Sequence, residues 1–334
     1  MRQDLEKHEI NYLSEYACKS IESKGRKIHE EKCDFRTDFQ RDRDRVIHSK
    51  SFRRLMHKTQ VFLAPEGDHF RTRLTHTLEV SQISRTISRA LYLNEDLTEA
   101  IAMGHDLGHT PFGHSGEKYL DIIHPKGFKH NEQSLRVVDY LEKNSEGRNM
   151  NLTAEVRDGI LNHTGETEPF TLEGQVVKLS DRIAYINHDI DDALRGGIIS
   201  DNDLPQDCIK VLGQTHRDRI NNLVIDVVNN SKGQPRIKMS DEMSYYKNKL
   251  RTYMFENVYH SQVVKKVEDM DKIDHIIKEL YRFYLQNPDK LPDEYYQMIE
   301  KWGIEEIVKD QIAGMTDRYA INVFSEIFIP KRWK

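Results

Sequence analysis

Apolar residues in this chain recur at the spacing of an α-helix along most of its length. Leu74, Leu78, Ile83 and Ile87 stand four and five apart, and Leu97, Ile101 and Leu107 continue a helical face. Val137, Val138 and Leu141 do the same after Leu135, as do Val176, Val177, Ile183, Ile186 and Ile190. Such spacing predicts amphipathic helices facing a common core. Turn chemistry at Pro65–Asp68, Asn144–Asn151, His163–Pro169, Gly196–Pro205, Asn229–Pro235 and Asn287–Pro292 predicts the breaks between them. Pro235–Ser240 alternates weakly, and a short β-hairpin strand is expected there. No repeat, low-complexity tract or linker divides the 334 residues. The expectation is one all-α domain over 1–334, with a core over about 41–200 and peripheral C-terminal helices over about 201–334.

Composition removes several classes. The 50 Lys+Arg against 55 Asp+Glu leave a net charge of −5, which gives no global reason to expect nucleic-acid binding. No apolar run approaches the ~20 residues that span a bilayer, and residues 1–13 carry no signal-peptide core. Cys18, Cys33 and Cys208 are too scattered for a disulfide framework or a zinc knuckle, so a cytoplasmic location is expected. Locally the charge differs: Arg36–Arg73 carries ten Lys/Arg against five acids. That stretch is a solvated helix face or, for some of its residues, a phosphate-binding rim built from arginine's forked donors.

Histidine is the unusual residue. There are 16, and nine fall between His48 and His130. His76 sits in an amphipathic helix, His105-Asp106 ends the next, and Asp181 lies inside the otherwise apolar Val176–Tyr185. An acid in that setting is costly unless it is paired or bound to a cation. Two imidazoles and two carboxylates from three helices could coordinate one divalent metal. Mixed nitrogen and oxygen ligation suits Mn, Fe, Co, Ni or Zn better than Ca. Neighbours such as His105 and Asp106 diverge by about 100° around a helix, so they converge on one ion most readily at a helix end.

The text around these residues is specific. Phe70–Val80, containing His76, followed by Gly104–Glu117, containing His105, Asp106, His109 and His114, resembles the HD-domain superfamily of metal phosphohydrolases. More narrowly it is similar to the bacterial deoxyguanosine triphosphate triphosphohydrolase-like enzymes. Ser51–Phe62, Lys129–Arg136 and Ala313–Ala320 match the same family, so the resemblance runs from about Arg41 to Phe324. It implies an HD helical bundle with additional C-terminal helices. It also implies His76, His105, Asp106 and Asp181 as metal ligands, in agreement with the grouping above, and His114 with Glu117 as the catalytic pair. His at i and Glu at i+3 are neighbours on a helix face, so Glu117 is expected to orient His114.

The implied reaction is metal-dependent hydrolysis of a deoxynucleoside triphosphate (dNTP) to a deoxynucleoside and inorganic triphosphate, with Mn²⁺ or Mg²⁺ the foremost candidates. By the same resemblance Gln60 and Asp189 hold the sugar 3′-hydroxyl, and Tyr185 packs on the deoxyribose where a 2′-hydroxyl would otherwise sit. Arg73, His109, His130 and Arg182 match polyphosphate contacts. Asp317-Arg318-Tyr319 either closes the base end of the pocket or packs the last helix, with packing favoured. A homo-oligomer and a dNTP activator belong to what the resemblance implies, and no membrane partner is expected. The alternatives are an HD-type 5′-nucleotidase or phosphohydrolase of another nucleotide, and a nucleotide- or single-stranded-DNA-binding regulator.

Overall fold

The computed structural model describes residues 1–60, 71–144, 146–259 and 267–330; the break expected at Pro65–Asp68 lies outside them. Its helices of seven residues or more are α1 Arg2–Tyr12, α2 Asp38–Ile47, α3 Arg73–Ala90, α4 Glu95–Gly104, α5 Gly113–Ile123, α6 His130–Arg136 and α7 Ala154–Asn162. They continue as α8 Leu172–Arg195, α9 Gln206–Leu212, α10 His216–Ser231, α11 Asp241–Met254, α12 Val267–Gln286, α13 Ile304–Ala313 and α14 Asp317–Phe328. The starts are written in the sequence. Thr72, Asn94, Thr171, Ser240 and Thr316 each stand just before a helix and accept one of its first free N–H groups.

Two apolar cores result. The larger joins α3, α4, α7 and α8 through Val80, Ile83, Ile87, Leu97, Ile101, Ile160, Val176 and Ile183, and takes in Leu250 and Met254 of α11. The smaller packs Phe112, Leu120 and Phe128, around α5, against Ile273, Ile277 and Leu280 of α12 and Ile307, Val308 and Ile312 of α13. Helices from the C-terminal third therefore line both cores.

Two expectations are corrected. The apolar spacing puts Leu78 on the buried face of α3, yet it is 48% exposed; the inward stripe is His76, Val80, Ile83 and Ile87, a 4-3-4 spacing. The strand expected at Pro235–Ser240 does not form. Its backbone is satisfied by side chains instead, Ile237 N–H donating to Gln175 Oε1 at 3.1 Å and Lys238 N–H to Ser231 Oγ at 3.0 Å. Among the described residues the β-pairings are isolated bridges, such as Thr59 with Thr72.

At the start of α8, Glu173 is fully buried and its Oε1 accepts the N–H groups of Cys18 (3.0 Å) and Asn94 (2.9 Å). Burial pushes its pKa up to about 7 from an ordinary 4.5, against the pull of those donors. The folded state therefore holds this proton more tightly than the unfolded chain does. The resulting stability is full below about 4.5 and is lost as pH rises through about 7. Glu173→Gln keeps the acceptor and removes the titration. It should raise the thermal midpoint at pH 8, by a free energy on the order of 3 kcal/mol, with the gain shrinking toward pH 5. Thermal melts of both proteins across pH 5–8 check this.

Candidate active site and metal centre

His76 stands one turn into α3, and Asp181 lies midway along α8 where the two helices pack. Their side chains meet, with His76 Nε2 3.1 Å from Asp181 Oδ1. His105 caps the C-terminal end of α4, where its Nδ1–H donates to the Ala102 carbonyl at 2.7 Å. That bond leaves the lone pair on Nε2. This atom is buried without a hydrogen-bond partner among the described residues, 3.9 Å from Asp181 Oδ1 and 3.7 Å from Asp106 Oδ1. An orphaned imidazole nitrogen facing two carboxylates fits a divalent cation and does not fit a closed hydrogen-bonded core. One ligand atom each from His76, His105 and Asp181 lie within 4.8 Å of one another. Burial alone would raise both carboxyl groups. Instead His105 and Arg73 beside Asp106, and His76 beside Asp181, hold both below the ordinary carboxylate range.

Asp106 is held from its other side by Arg73, whose Nη1 donates to Oδ2 at 2.9 Å while Nη2 reaches the Gln60 carbonyl at 3.3 Å. Arg73 is 1% exposed. It was expected as a phosphate contact, and the structure gives it a prior partner.

A second cluster surrounds Glu117 on α5. Its Oε1 accepts both the backbone N–H of His130 (2.9 Å) and His130 Nδ1–H (2.8 Å). Its Oε2 stands 3.7 Å from both His114 Nδ1 and His109 Nε2. The expected pairing with His114 is thus the looser contact, and Glu117 chiefly orients His130, because α6 starts directly against it. His130 Nε2 lies 3.2 Å from His163 Nε2, while His163 Nδ1 is 2.7 Å from the Ile160 carbonyl. With that Nδ1 donating, His163 must accept, and His130 carries both ring protons. The surrounding charges and burial act in the same direction. Burial, with His105 and His130 nearby, takes His163 down to about 3; His130 is raised because Glu117 outweighs its burial. His109, stacked on His130 at 4.5 Å, is held well below its ordinary value by burial and by Arg73, and is neutral.

Both clusters open on a cavity of about 800 Å³. Gln60, Arg73, His76, Asp106, His109, His114, His130, Asp181, Arg182 and Tyr185 line it. His105 and Glu117 sit behind this wall. Asp189 is 1% exposed on α8 and does not line the cavity, so its expected sugar contact has no support in the geometry. Of the basic stretch Arg36–Arg73, only Arg73 reaches this cavity. Arg36, Arg41, Arg43, Arg45 and Arg71 are instead ion-paired with acids elsewhere.

Residues 73–186 match the HD domain family, and residues 237–326 match the Phosphohydrolase-associated domain family. Over 333 residues the chain is 57% identical to a deoxyguanosinetriphosphate triphosphohydrolase-like protein of Caldanaerobacter subterraneus, covering 100% of this chain and 97% of that one. A protein of the same description from Clostridium tetani is 49% identical over 324 residues, covering 94% and 92%. The chain belongs to the deoxyguanosinetriphosphate triphosphohydrolase-like family of HD-domain proteins. A phosphohydrolase crystal structure from Bacteroides thetaiotaomicron shares the fold, with a TM-score of 0.51, 17% identity, and coverage of 85% of this chain and 68% of that one.

Family motifs did not point to every wall of the cavity. His163, Thr164, Gly165 and Glu166 follow α7, and Lys247, Asn248, Arg251 and Phe255 come from α11 and the turn after it. His163 repeats the pattern of His105: a histidine capping a helix C-terminus, bonded to the carbonyl three residues back. Lys247 and Arg251 are i and i+4 on α11 and line the cavity together with Arg182 of α8. Burial and the charges of Arg182 and Arg251 lower Lys247 to about 8.

Gly108 lets the two clusters approach. A Cβ there would lie 2.1 Å from Ser134 N and 2.6 Å from the His130 carbonyl oxygen. Gly108→Ala must push α6 away from the turn that follows His105-Asp106. It should cost at least about 1–3 kcal/mol in a denaturant or thermal titration, with activity falling beyond the loss of folded protein because His130 moves.

Proposed function

We propose that this HD-type phosphohydrolase cleaves deoxynucleoside triphosphates to a deoxynucleoside and inorganic triphosphate. Water adds to the α-phosphorus, the bond from phosphorus to the 5′ oxygen breaks, and that oxygen leaves with a proton. The observation that carries the reading is the convergence on one cavity of three things: a cluster that could hold a cation, a cluster of histidines around Glu117, and three cationic side chains, Arg182, Lys247 and Arg251.

His76, His105, Asp106 and Asp181 would hold a divalent ion, Mn²⁺ or Mg²⁺ foremost with Fe, Co, Ni or Zn compatible, whose charge polarises an α-phosphoryl oxygen. Arg73 keeps Asp106 ionised and fixed. His114 is more than half exposed at the cavity wall, 5.6 Å by ring centroids from His109 and 6.4 Å from Tyr185. It can therefore touch a substrate directly and pass the proton that the 5′ oxygen needs. Glu117 and His130 stand behind it as a charge-balanced pair. His109, neutral, offers a hydrogen bond to a phosphate oxygen without adding a buried charge.

Arg182, Lys247 and Arg251 provide the countercharge for the β- and γ-phosphates, since a triphosphate carries up to about four negative charges. Gln60 Oε1 is buried and has no hydrogen-bond partner among the described residues, which makes it the acceptor for the 3′-hydroxyl. Tyr185 packs on the deoxyribose and leaves no room for a 2′-hydroxyl.

A panel of four dNTPs and four rNTPs with Mn²⁺ or Mg²⁺, products separated by chromatography, tests this reading. Deoxynucleoside plus triphosphate is expected from dNTPs, with rNTPs spared. Pyrophosphate plus monophosphate, or stepwise loss of phosphate, overturns it and favours another nucleotide hydrolysis. Asp106→Ala should lose bound metal and turnover together. His114→Ala should keep metal and substrate binding while kcat falls about 10²–10⁴-fold.

A further inference from the structure

We propose that Asp317 is a positioning residue: its carboxylate holds in register the two chain segments that present Gln60 and His114 to the cavity. The inference rests on the role given above to those two residues. Asp317 is the first residue of α14, far from the cavity wall in sequence and absent from its lining. Thr316 already caps that helix by accepting the Tyr319 N–H, so the Asp317 carboxylate is not needed as the cap. It turns instead toward the HD half of the molecule. Oδ1 accepts the backbone N–H of Phe112 at 2.9 Å, and Oδ2 accepts both the N–H of Thr59 at 2.9 Å and the Thr59 hydroxyl.

Both recipients adjoin site residues. Thr59 precedes Gln60. Phe112 opens α5, two residues before His114, and adopts the left-handed conformation (φ +63°) that a non-glycine residue disfavours. It has no side-chain capping bond of its own, so the Asp317 carboxylate meets its N–H where a helix N-cap would leave the backbone to fend for itself. The two segments are pressed together at the next residue: a Cβ on Gly113, itself at φ +58°, would lie 2.9 Å from the Gln60 carbonyl oxygen. Lys58 completes the lacing, its buried Nζ donating to the carbonyls of His109 and Ala313. One carboxylate with two oxygens thus serves two backbone N–H groups and a hydroxyl on separate segments. Its neutral isostere cannot do the same, because an amide has one acceptor oxygen and its NH₂ would face a donor.

Asp317→Asn tests the inference with two independent readouts. In hydrogen exchange, peptides covering 55–60 and 109–116 should lose protection together, by tenfold or more in rate, while 73–90 and 172–195 stay as they are. In turnover, kcat for dNTP hydrolysis should fall at least tenfold, with bound metal per chain unchanged, because the proposed ligands lie on α3 and α8 and in the turn after α4. Thr59→Val removes only the hydroxyl contact beside Gln60 and should raise KM with kcat changed less than threefold. If Asp317→Asn leaves exchange in both segments unaltered, or if kcat per folded molecule is retained, Asp317 merely packs the last helix and the proposal fails. A wild-type protein inert toward every dNTP would defeat the functional reading instead, and the exchange measurement then decides the clamp by itself.

Discussion

Asp106 and Asp181 are ionised carboxylates placed against helices packed on an apolar core, and the site is organised around that constraint. A charge taken out of water must be met by opposite charge or by hydrogen bonds. Here the compensation comes from fixed directions: Arg73 on one flank of Asp106, and His76 against Asp181. Arg73 is itself buried and spends its second nitrogen on the Gln60 carbonyl, so neutralising one acid also anchors the segment that forms the opposite wall. Without the ion pair, an isolated carboxylate in this position would take up a proton and lose its value as a ligand.

The same logic explains why helix ends matter more here than helix middles. His105 and His163 both cap the C-terminal ends of their helices and both give their Nδ1 proton to a carbonyl three residues back. Those carbonyls lack helical partners, so the bond costs no secondary structure, and it fixes the lone pair on the outward nitrogen. His105 turns that lone pair to the carboxylates, and His163 turns it to His130. Two identical local devices thus feed two different clusters, one suited to a cation and one to a proton.

How much of this could be read in the sequence follows from the range of each contact. His76 and Asp181 were legible because a polar residue interrupts a periodic apolar face, and periodicity is a local property. Leu78 misled for the same reason: a five-residue gap between Leu78 and Ile83 admits two faces, and only packing against α4 and α8 chooses between them. Glu117 was paired with His114 because three residues separate them on one helix. Its stronger partner, His130, arrives from the next helix, thirteen residues on, and no helical spacing encodes that approach. For Arg36 to Arg71 the sequence left a solvated face or a phosphate rim open, and it is ion pairing that decides. Arg36, Arg41 and Arg45 find acids nearby in the chain, whereas the partners of Arg43 and Arg71, Asp96 and Asp191, lie too far along it for spacing to show. The cationic lining formed by Arg182 with Lys247 and Arg251 was half visible, since its two arms come from separate family regions.

The division between those regions is less clean in three dimensions than in sequence. The HD region contributes both side-chain clusters and Arg182, whereas the phosphohydrolase-associated region contributes Lys247 and Arg251, apolar support for α5, and the Asp317 carboxylate. Asp310 of α13 adds a further tie, fully buried and bonded by Gln133 and Arg136, three and six residues after His130 on α6. The helices of the second cluster, α5 with Glu117 and α6 with His130, are therefore braced from the C-terminal third, and α10 and α11 brace α8, which carries Asp181, from the same side. The docking of the C-terminal third therefore bears on both clusters, and most directly on the second, where Asp317 and Asp310 reach the segments next to His114 and His130 by hydrogen bonds.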